Sequence, residues 1–447
     1  MNTYTKNMTS GNEIKHILHF AIPLLFGNLF QQLYNIVDSV IVGRYLGKNA
    51  IAAVGATGSI TFLFYTLCIG LSIGAGILIS QSFGAGKETE TKRLIANSAY
   101  VLIVIGVIIS IISAALAKPL LILLDTPNSI LKDAENYMKV ACLGTAAVAA
   151  YNWINSALRS LGDSKTPLIF LVAASILNVL LDLLMVITFE MGVVGAALAT
   201  VLAQAISAIG SIIFALFKNR YFSLTKHEAL PDKTLIYLCI KTGVPIALQN
   251  AFISISMVFL QKTANSFKET VMAAYTVTMR IEQLIQQPFS SLNAAVSTFT
   301  GQNVGAGKSD RVKNGYKNSL KASFIFAGAM LILFMIFANV IVKLFVNDPD
   351  VISIGSNALR VSACFYFFLG IIHVTRGLLN GAGDVSYAFI NGIAEFAGRV
   401  GFAFLLSHIS FVGYWAVWGT TCFTWMLTAI MSIIRYKGKK WERKKLI

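Results

Sequence analysis

Apolar and polar positions fall in long blocks along this chain. Uncharged runs rich in Leu, Ile, Val, Phe and Ala are separated by short stretches carrying Lys, Arg, Asp, Glu, Gly and Pro. The run over residues 100–117, for example, contains no charged residue. A helix needs about 20 apolar residues to cross the hydrocarbon core of a bilayer, and the blocks have that length. Twelve spans are predicted, near residues 17–43, 50–80, 94–117, 130–159, 166–189, 193–217, 234–261, 270–300, 315–342, 352–378, 385–407 and 411–435. The fold class that follows is an all-α integral membrane protein.

The spans come in two matching sets. SQSFGAGK and TGQNVGAGK place Gln81, Gly84, Gly86 and Lys87 opposite Gln302, Gly305, Gly307 and Lys308, an offset of 302 − 81 = 221 positions. The same offset carries Gly162 and Asp163 onto Gly383 and Asp384, and Gly192 onto Gly413; an offset one longer carries Pro23 onto Pro245. A repeat of half the chain means two copies of one folding unit. Six spans per copy is an even number, so both copies keep one orientation, related by a pseudo-twofold axis along the membrane normal. We expect an N-lobe over residues 1–217, a cytoplasmic linker over 218–233 and a C-lobe over 234–447 with a basic tail. Two similar bundles can rock about a shared cavity, as in many secondary transporters.

Composition agrees with burial in lipid. Hydrophobic residues make up 56% and charged residues 13%, too little charge to cover a soluble protein of 447 residues. The formal net charge of +16 would suit nucleic acid, but its distribution does not. With the N-terminus in the cytoplasm, most Lys and Arg fall in inner loops, as the positive-inside rule requires. They are densest over 218–233, 308–321 and 435–445. The expectation is a multi-pass protein of the bacterial cytoplasmic membrane, with both termini cytoplasmic, no cleavable signal, no nucleic-acid partner and a monomeric state. Cys68, Cys142, Cys239, Cys364 and Cys422 sit singly in apolar runs, which suits buried small hydrophobes and not disulfides or a metal cage. The GAGK turns lack the full GxxxxGK[ST] pattern and no strand precedes them, so transport would draw on an ion gradient and not on a nucleotide.

An ionisable side chain inside a span is costly and marks function unless it is paired. Asp38 lies in the first span, within NLFQQLYNIVDSVIVG, with no Lys or Arg in the same interior. Asn28, Gln31, Asn35 and Asp38 recur at three- or four-residue spacing and so share one face. Amides in such a stripe serve as a hydrogen-bonding seam between helices. A carboxylate is a costly choice for that purpose. Asp182, in the fifth span, follows Asn178 by one turn. With a rise of about 1.5 Å per residue, Asp38, Asp182, Thr200 and Tyr137 all lie roughly 8–11 Å below the outer membrane face. Asp38, Asn178, Asp182 and Thr200 form a hard oxygen set suited to Na⁺ as a metal ligand. The two carboxyl groups could instead share a proton, because neighbouring carboxylates in low dielectric do not both stay ionised. Unrelated polar residues at a shared depth would look the same. Pro23, earlier on the same helix, is a bending point whose angle would depend on occupancy at Asp38.

The second copy does not repeat this cluster. Leu260, Arg399 and Ala403 stand where Asp38, Asn178 and Asp182 stand, and only Thr200 keeps its partner, Thr421. Glu395 and Arg399 are one turn apart and expected to neutralise each other. Arg280, Glu282, Gln283 and His373, with Gln31 and Asn35 of the first span, are candidates to line a substrate cavity; His373 also reads as a hydrogen-bonded core residue.

Taken in order, PLLFGNLFQQLYNIVDSVIVGRYLG, the paired GAGK loops, RSLGDSKTP and the spacing of Asn178 and Asp182 resemble the multidrug and toxic compound extrusion (MATE) family, its DinF-like branch in particular, over essentially the whole chain. The resemblance implies twelve transmembrane helices in two six-helix lobes. It implies an N-lobe cation network at Asp38, Asn178, Asp182, Thr200, Tyr137 and Asn155, the last on this ground alone. It further implies an antiporter in which H⁺ or Na⁺ enters as an amphiphilic, often cationic, compound leaves, with no cofactor beyond the coupling ion and no enzymatic activity. The acidic C-lobe residues of the NorM-like branch have no counterpart here. The aromatic content of 11% suits a greasy cavity for flat cations. The rival reading is a lipid-linked oligosaccharide flippase of the same superfamily, which would carry several cationic residues in its central cavity. A membrane-embedded enzyme is disfavoured because no His cluster, metal spacing or nucleophile motif accompanies the carboxylates. A two-lobe repeat argues against a channel.

Overall fold

The structure is a computed structural model, and it describes residues 4–443 and 446. Among these residues there are thirteen α-helices and no strand: α1 (Glu13–Leu46), α2 (Lys48–Gly84), α3 (Glu88–Leu123), α4 (Asn128–Leu143), α5 (Thr145–Ser160), α6 (Lys165–Asp182), α7 (Gly192–Lys218), α8 (Lys233–Asn265), α9 (Glu269–Gly305), α10 (Ser309–Lys343), α11 (Pro349–Gly381), α12 (Val385–Ser407) and α13 (Ala416–Lys437). They account for the twelve predicted spans, because α4 and α5 together form the fourth. The break between them falls at Gly144, where a Cβ would overlap the side chain of Val201 on α7. Nine of the helices are long and apolar enough on their own to cross a membrane. The remaining spans, α1, the α4/α5 pair and α9, carry amide-rich or interrupted stretches.

The repeat is written in the backbone. Gly86 and Gly307 have φ of 73° and 71°, Gly162 and Gly383 have 84° and 85°, and Gly192 and Gly413 have 60° and 53°. Only glycine adopts such values without cost, so each pair fixes the same turn at the same place in both copies. The turn bonds match too: Lys87 N–H donates to Ser82 O, and Lys308 N–H to Asn303 O.

Lipid-facing and central helices differ in burial. Repeat mates α3 and α10 bury only 28% and 22% of their most apolar stretch, whereas α2 and α11 bury 61% and 56%. Val104 and Ile111 on α3, and Ile325 and Ile332 on α10, are exposed. In a hydrocarbon solvent such exposure carries no hydrophobic penalty. By contrast α2 packs on α3, α4 and α5, and α11 on α9, α10 and α13.

Contacts divide the described residues into two compact units, one of residues 4–8 with Ile22–Leu248, the other of Thr9–Ala21 with Gln249–Leu446. The division falls inside α1 beside Pro23 and inside α8 near Pro245. In the first unit one core gathers Ala53, Ile60, Leu121, Ala134 and Met138, and another Ile41, Val42, Val186 and Val193. In the second, Phe289, Phe334, Tyr366 and Trp425 pack together. The cysteines form no disulfide; four are buried as expected, but Cys364 is exposed.

The 218–233 stretch is docked on α3. Arg93 Nη2 donates to Asp232 Oδ2 at 2.6 Å, and Lys92 lies 3.6 Å from Glu228. Asp232 also caps α8, its Oδ1 accepting from the amides of Thr234 at 2.7 Å and Leu235 at 3.2 Å. Those amide bonds hold the Asp232 carboxyl below the usual carboxylate range, as the Thr225 amide does for Glu228. A depressed folded value means that docking stabilises fully above the unfolded value of about 4 and is lost as pH falls through the lower folded value. Hydrogen exchange at Thr234 and Leu235 should accelerate beyond its intrinsic rate only in that acid range. At neutral pH, Asp232→Ala should cost about 1 kcal/mol at the cap and speed tryptic cleavage in 218–233, whereas Asp232→Asn, which keeps the cap, should do much less.

Candidate cation site

Asp182 is the last residue of α6, and the chain continues into a π-helical turn over Leu183–Thr188, where Phe189 N–H donates to Leu184 O at 2.9 Å. A π turn carries an extra residue and re-aims the side chains beside it, which is why such turns cluster at functional positions. The Asp182 carboxylate is fully buried, and neither oxygen has a hydrogen-bond partner among the described residues. Asp38 of α1 lies beside it, close enough for the two carboxyl groups to interact, and its Oδ1 is also buried and unpartnered. Among the described residues no Lys or Arg acts on either one.

One turn before Asp182, the buried Asn178 donates from Nδ2 to Thr200 Oγ1 at 3.3 Å, which leaves Asn178 Oδ1 unpartnered. Thr200 in turn donates to Ala196 O at 3.2 Å. The hydroxyls of Tyr137 and Tyr34 feel both carboxyl groups. Tyr137 packs on the Ile41, Val42, Val186 and Val193 core, so an apolar wall backs the acids and strengthens their electrostatics. Asn155 is buried beside Tyr151, which in turn neighbours Tyr34. A small, half-open cleft is lined by Gln31, Tyr34, Tyr151, Ser175, Asn178, Thr200 and Gln204 among others.

The unpartnered atoms define what the site can hold. Asp38 Oδ1, both Asp182 oxygens, Asn178 Oδ1, Asn155 Oδ1 and Gln204 Oε1 are buried acceptors without a donor. Each such acceptor costs about 1–3 kcal/mol if left unmatched. A proton or a small hard cation satisfies several at once. No group of three or more His, Cys, Asp or Glu side chains placed to hold a metal ion is found among the described residues. Two carboxylates with neutral oxygens match a monovalent ion better than a transition metal.

The MatE family model matches residues 23–184 and again residues 245–405. The chain belongs to the MatE family. The two matches are the two copies of the repeat, the first ending just past Asp182. The probable multidrug resistance protein YpnP of Bacillus subtilis is 28% identical over 444 residues, with 98% of each chain covered. The probable multidrug resistance protein NorM of Thermotoga maritima is 25% identical over 438 residues, 97% of this chain and 94% of that protein. Among solved structures, a MATE protein in the straight conformation superposes with a TM-score of 0.89 at 26% identity over 98% of both chains. A MOP superfamily transporter from Pyrococcus furiosus, whose reverse-polarity binding pocket is said to suggest a different function, does so at 0.90 and 25%, again over 98% of both.

Of the residues singled out in this MatE chain from sequence, Asp38, Asn178, Asp182, Thr200 and Tyr137 come together, and Asn155 joins through the tyrosines. Gln31 lines the cleft, whereas Asn35 is exposed on α1 and is not part of the lining given above. Arg280, Glu282, Gln283 and His373 belong to the second unit. Arg280 is exposed, and Glu282 lies near Ser362 and Tyr366 with its Oε1 buried and unpartnered among the described residues. His373 is not the hydrogen-bonded core residue expected: its ring stacks on Phe289, with centroids 6.1 Å apart, and its Nδ1 has no partner. Glu395 and Arg399 do pair at 2.9 Å, but Glu395 also binds Arg376, which the sequence reading passed over. Tyr34 and Gln204 were passed over as well. Each lies one turn from a chosen residue, Asp38 and Thr200, and that spacing was the available signal.

Neutralising one of two adjacent, unpaired carboxyl groups removes repulsion and a desolvation cost. Asp182→Asn is therefore expected to melt at the parent's temperature or above it, in Na⁺-free buffer at pH 8. A clear fall in melting temperature would identify Asp182 as a structural partner instead.

Proposed function

We propose that this chain is a secondary active efflux transporter in which H⁺ or Na⁺ enters at the Asp38 and Asp182 site while an amphiphilic, often cationic, compound leaves by alternating access. The observation that carries the reading is the pair of neighbouring carboxyl groups without a counter-ion, buried among unpartnered oxygens. Such a pair discriminates between loaded and empty states by a full charge, and an ion that binds one conformation better shifts the balance between conformations. Asp38, Asn178, Asp182 and Thr200 would hold Na⁺ through their oxygens; a proton would sit between the carboxyl groups. Tyr34, Tyr151, Gln31 and Gln204 in the adjoining cleft offer aromatic faces and amide dipoles to a cationic solute.

Pro23 gives α1 a place to bend without losing a further hydrogen bond, on the helix that carries Asp38. In this structure α1 runs unbroken through it. MATE has been solved in a bent and in a straight conformation, which supports a conformational change in the family. Relatives named as multidrug resistance or multidrug export proteins, MepA of Staphylococcus aureus among them, support drug-like substrates. The reading sets both termini in the cytoplasm of a bacterial cell, which the basic loops support, with the chain acting as a monomer and not as an enzyme.

The test is uptake of a lipophilic cationic dye by inverted vesicles under an imposed pH or Na⁺ gradient. Wild type should respond to at least one gradient. Asp38→Asn and Asp182→Asn should each slow uptake by about tenfold or more, the loss expected for an interaction used in turnover. Full activity in both variants would overturn the reading.

A further inference from the structure

In the second unit, α8, α11 and α12 gather six polar side chains where the first unit has its acids. Arg376 occupies the repeat position of Asn155, and Arg399 that of Asn178. Glu395 is clamped between them: its Oε2 accepts from Arg376 Nη2 at 2.9 Å and its Oε1 from Arg399 Nη2 at 2.9 Å. Arg376 Nη2 also donates to Asn391 Oδ1 at 2.7 Å, which accepts from Gln249 Nε2 at 2.9 Å as well. Arg399 Nη1 donates to Ser256 Oγ at 2.7 Å.

This cluster has the opposite polarity to the first unit's site. Two guanidinium groups are bonded to one carboxylate; Glu282, whose Oε1 is buried and unpartnered, also acts on Arg399 but bonds to neither arginine. Within the six the unused buried atoms are donors: Arg376 Nε, Arg399 Nε and Asn391 Nδ2 have no acceptor among the described residues. Arg399 and Asn391 are only 2% and 1% exposed, so water does not reach them from outside. Arg376, with 14% of its side chain exposed, is the most open of the charged members. A guanidinium presents five N–H donors in a planar fork that matches oxyanions, and Glu395 occupies only part of each fork.

We propose that the second unit binds an anionic oxygen group, a carboxylate or a phosphate, at Arg376, Arg399 and Asn391. The two copies of the repeat then handle opposite charges, a cation in the first and an anionic group in the second. Glu395 is the built-in competitor that holds both arginines in place until the ligand arrives. The assignment extends the transporter reading to zwitterionic or anionic amphiphiles, and it rests on that reading only for its role in transport.

Equilibrium binding to the full chain in phosphatidylcholine nanodiscs tests it, with labelled dodecyl phosphate and labelled inorganic phosphate as probes. Wild type should bind dodecyl phosphate saturably. Saturable binding of inorganic phosphate as well would assign the site to the free ion; binding of dodecyl phosphate alone would assign it to an amphiphile's headgroup. Arg376→Gln should weaken whichever binding is seen by about tenfold, the worth of one charge-assisted contact, while Arg376→Lys, which keeps the charge but not the fork, should fall between wild type and Arg376→Gln. Glu395→Gln removes the competitor, so it should bind more tightly, and any drop in its melting temperature should be recovered by dodecyl phosphate. A purely structural cluster would give weaker binding in both Arg376→Gln and Glu395→Gln, or none in wild type, and either result overturns the proposal. Gradient-driven dye uptake measured on the same Arg376→Gln protein separates the two readings. Intact uptake with unaltered anion binding removes this inference and leaves the transporter standing.

Discussion

Two carboxyl groups facing each other without a positive partner are the constraint around which the first unit is arranged. In water such a pair is unremarkable; against the apolar wall of Ile41, Val42, Val186 and Val193 it is a large unbalanced charge. A fold keeps that arrangement only if something neutralises it during the working cycle. The surrounding neutral oxygens of Asn178 and Thr200, and the tyrosines behind them, cannot supply a positive charge. They can only shape the space that a proton or cation enters. The π turn after Asp182 fits this picture, because it sets the carboxylate at a change in helical register where backbone geometry is least constrained by the regular ladder.

The duplicated fold lets one backbone carry two chemistries. Glycines at matching positions preserve the turns, while most polar residues of the first unit's site differ in the second: Leu260 and Ala403 stand in place of two aspartates, Arg376 and Arg399 in place of two asparagines, and Thr421 keeps the hydroxyl of Thr200. The packing could accept this because each exchanged side chain found new partners, Glu395 and Ser256 for Arg399, and Asn391 for Arg376. Buried charge is tolerated in both copies, but by different means. In the second copy most of it is matched inside the protein; in the first it is left for a ligand.

Much of this was legible in the sequence. The blocks of apolar residues gave the spans, since length in a bilayer is set by thickness and not by tertiary detail. The repeat located the turns, and helical spacing put Asn178 with Asp182. Depth arithmetic brought Thr200 and Tyr137 to the same level. What it missed has physical reasons. The interruption at Gly144 depends on close approach of Val201, which no local pattern reveals. The boundary between contact units inside α1 and α8 is set by which helix ends touch which neighbours, and composition does not carry that information. Arg376 was overlooked because it stands in a glycine- and leucine-rich run near a helix end; comparing it with Asn155 across the repeat would have exposed it.

Infrared difference spectroscopy of the full-length protein reports protonated carboxyl groups directly through their C=O stretch. The account predicts a carboxylic band that changes on stepping pH, on adding Na⁺, or on both, and that is lost from the difference spectrum of Asp38→Asn and of Asp182→Asn. A spectrum indifferent to both ions, or one unchanged in the two variants, would contradict it.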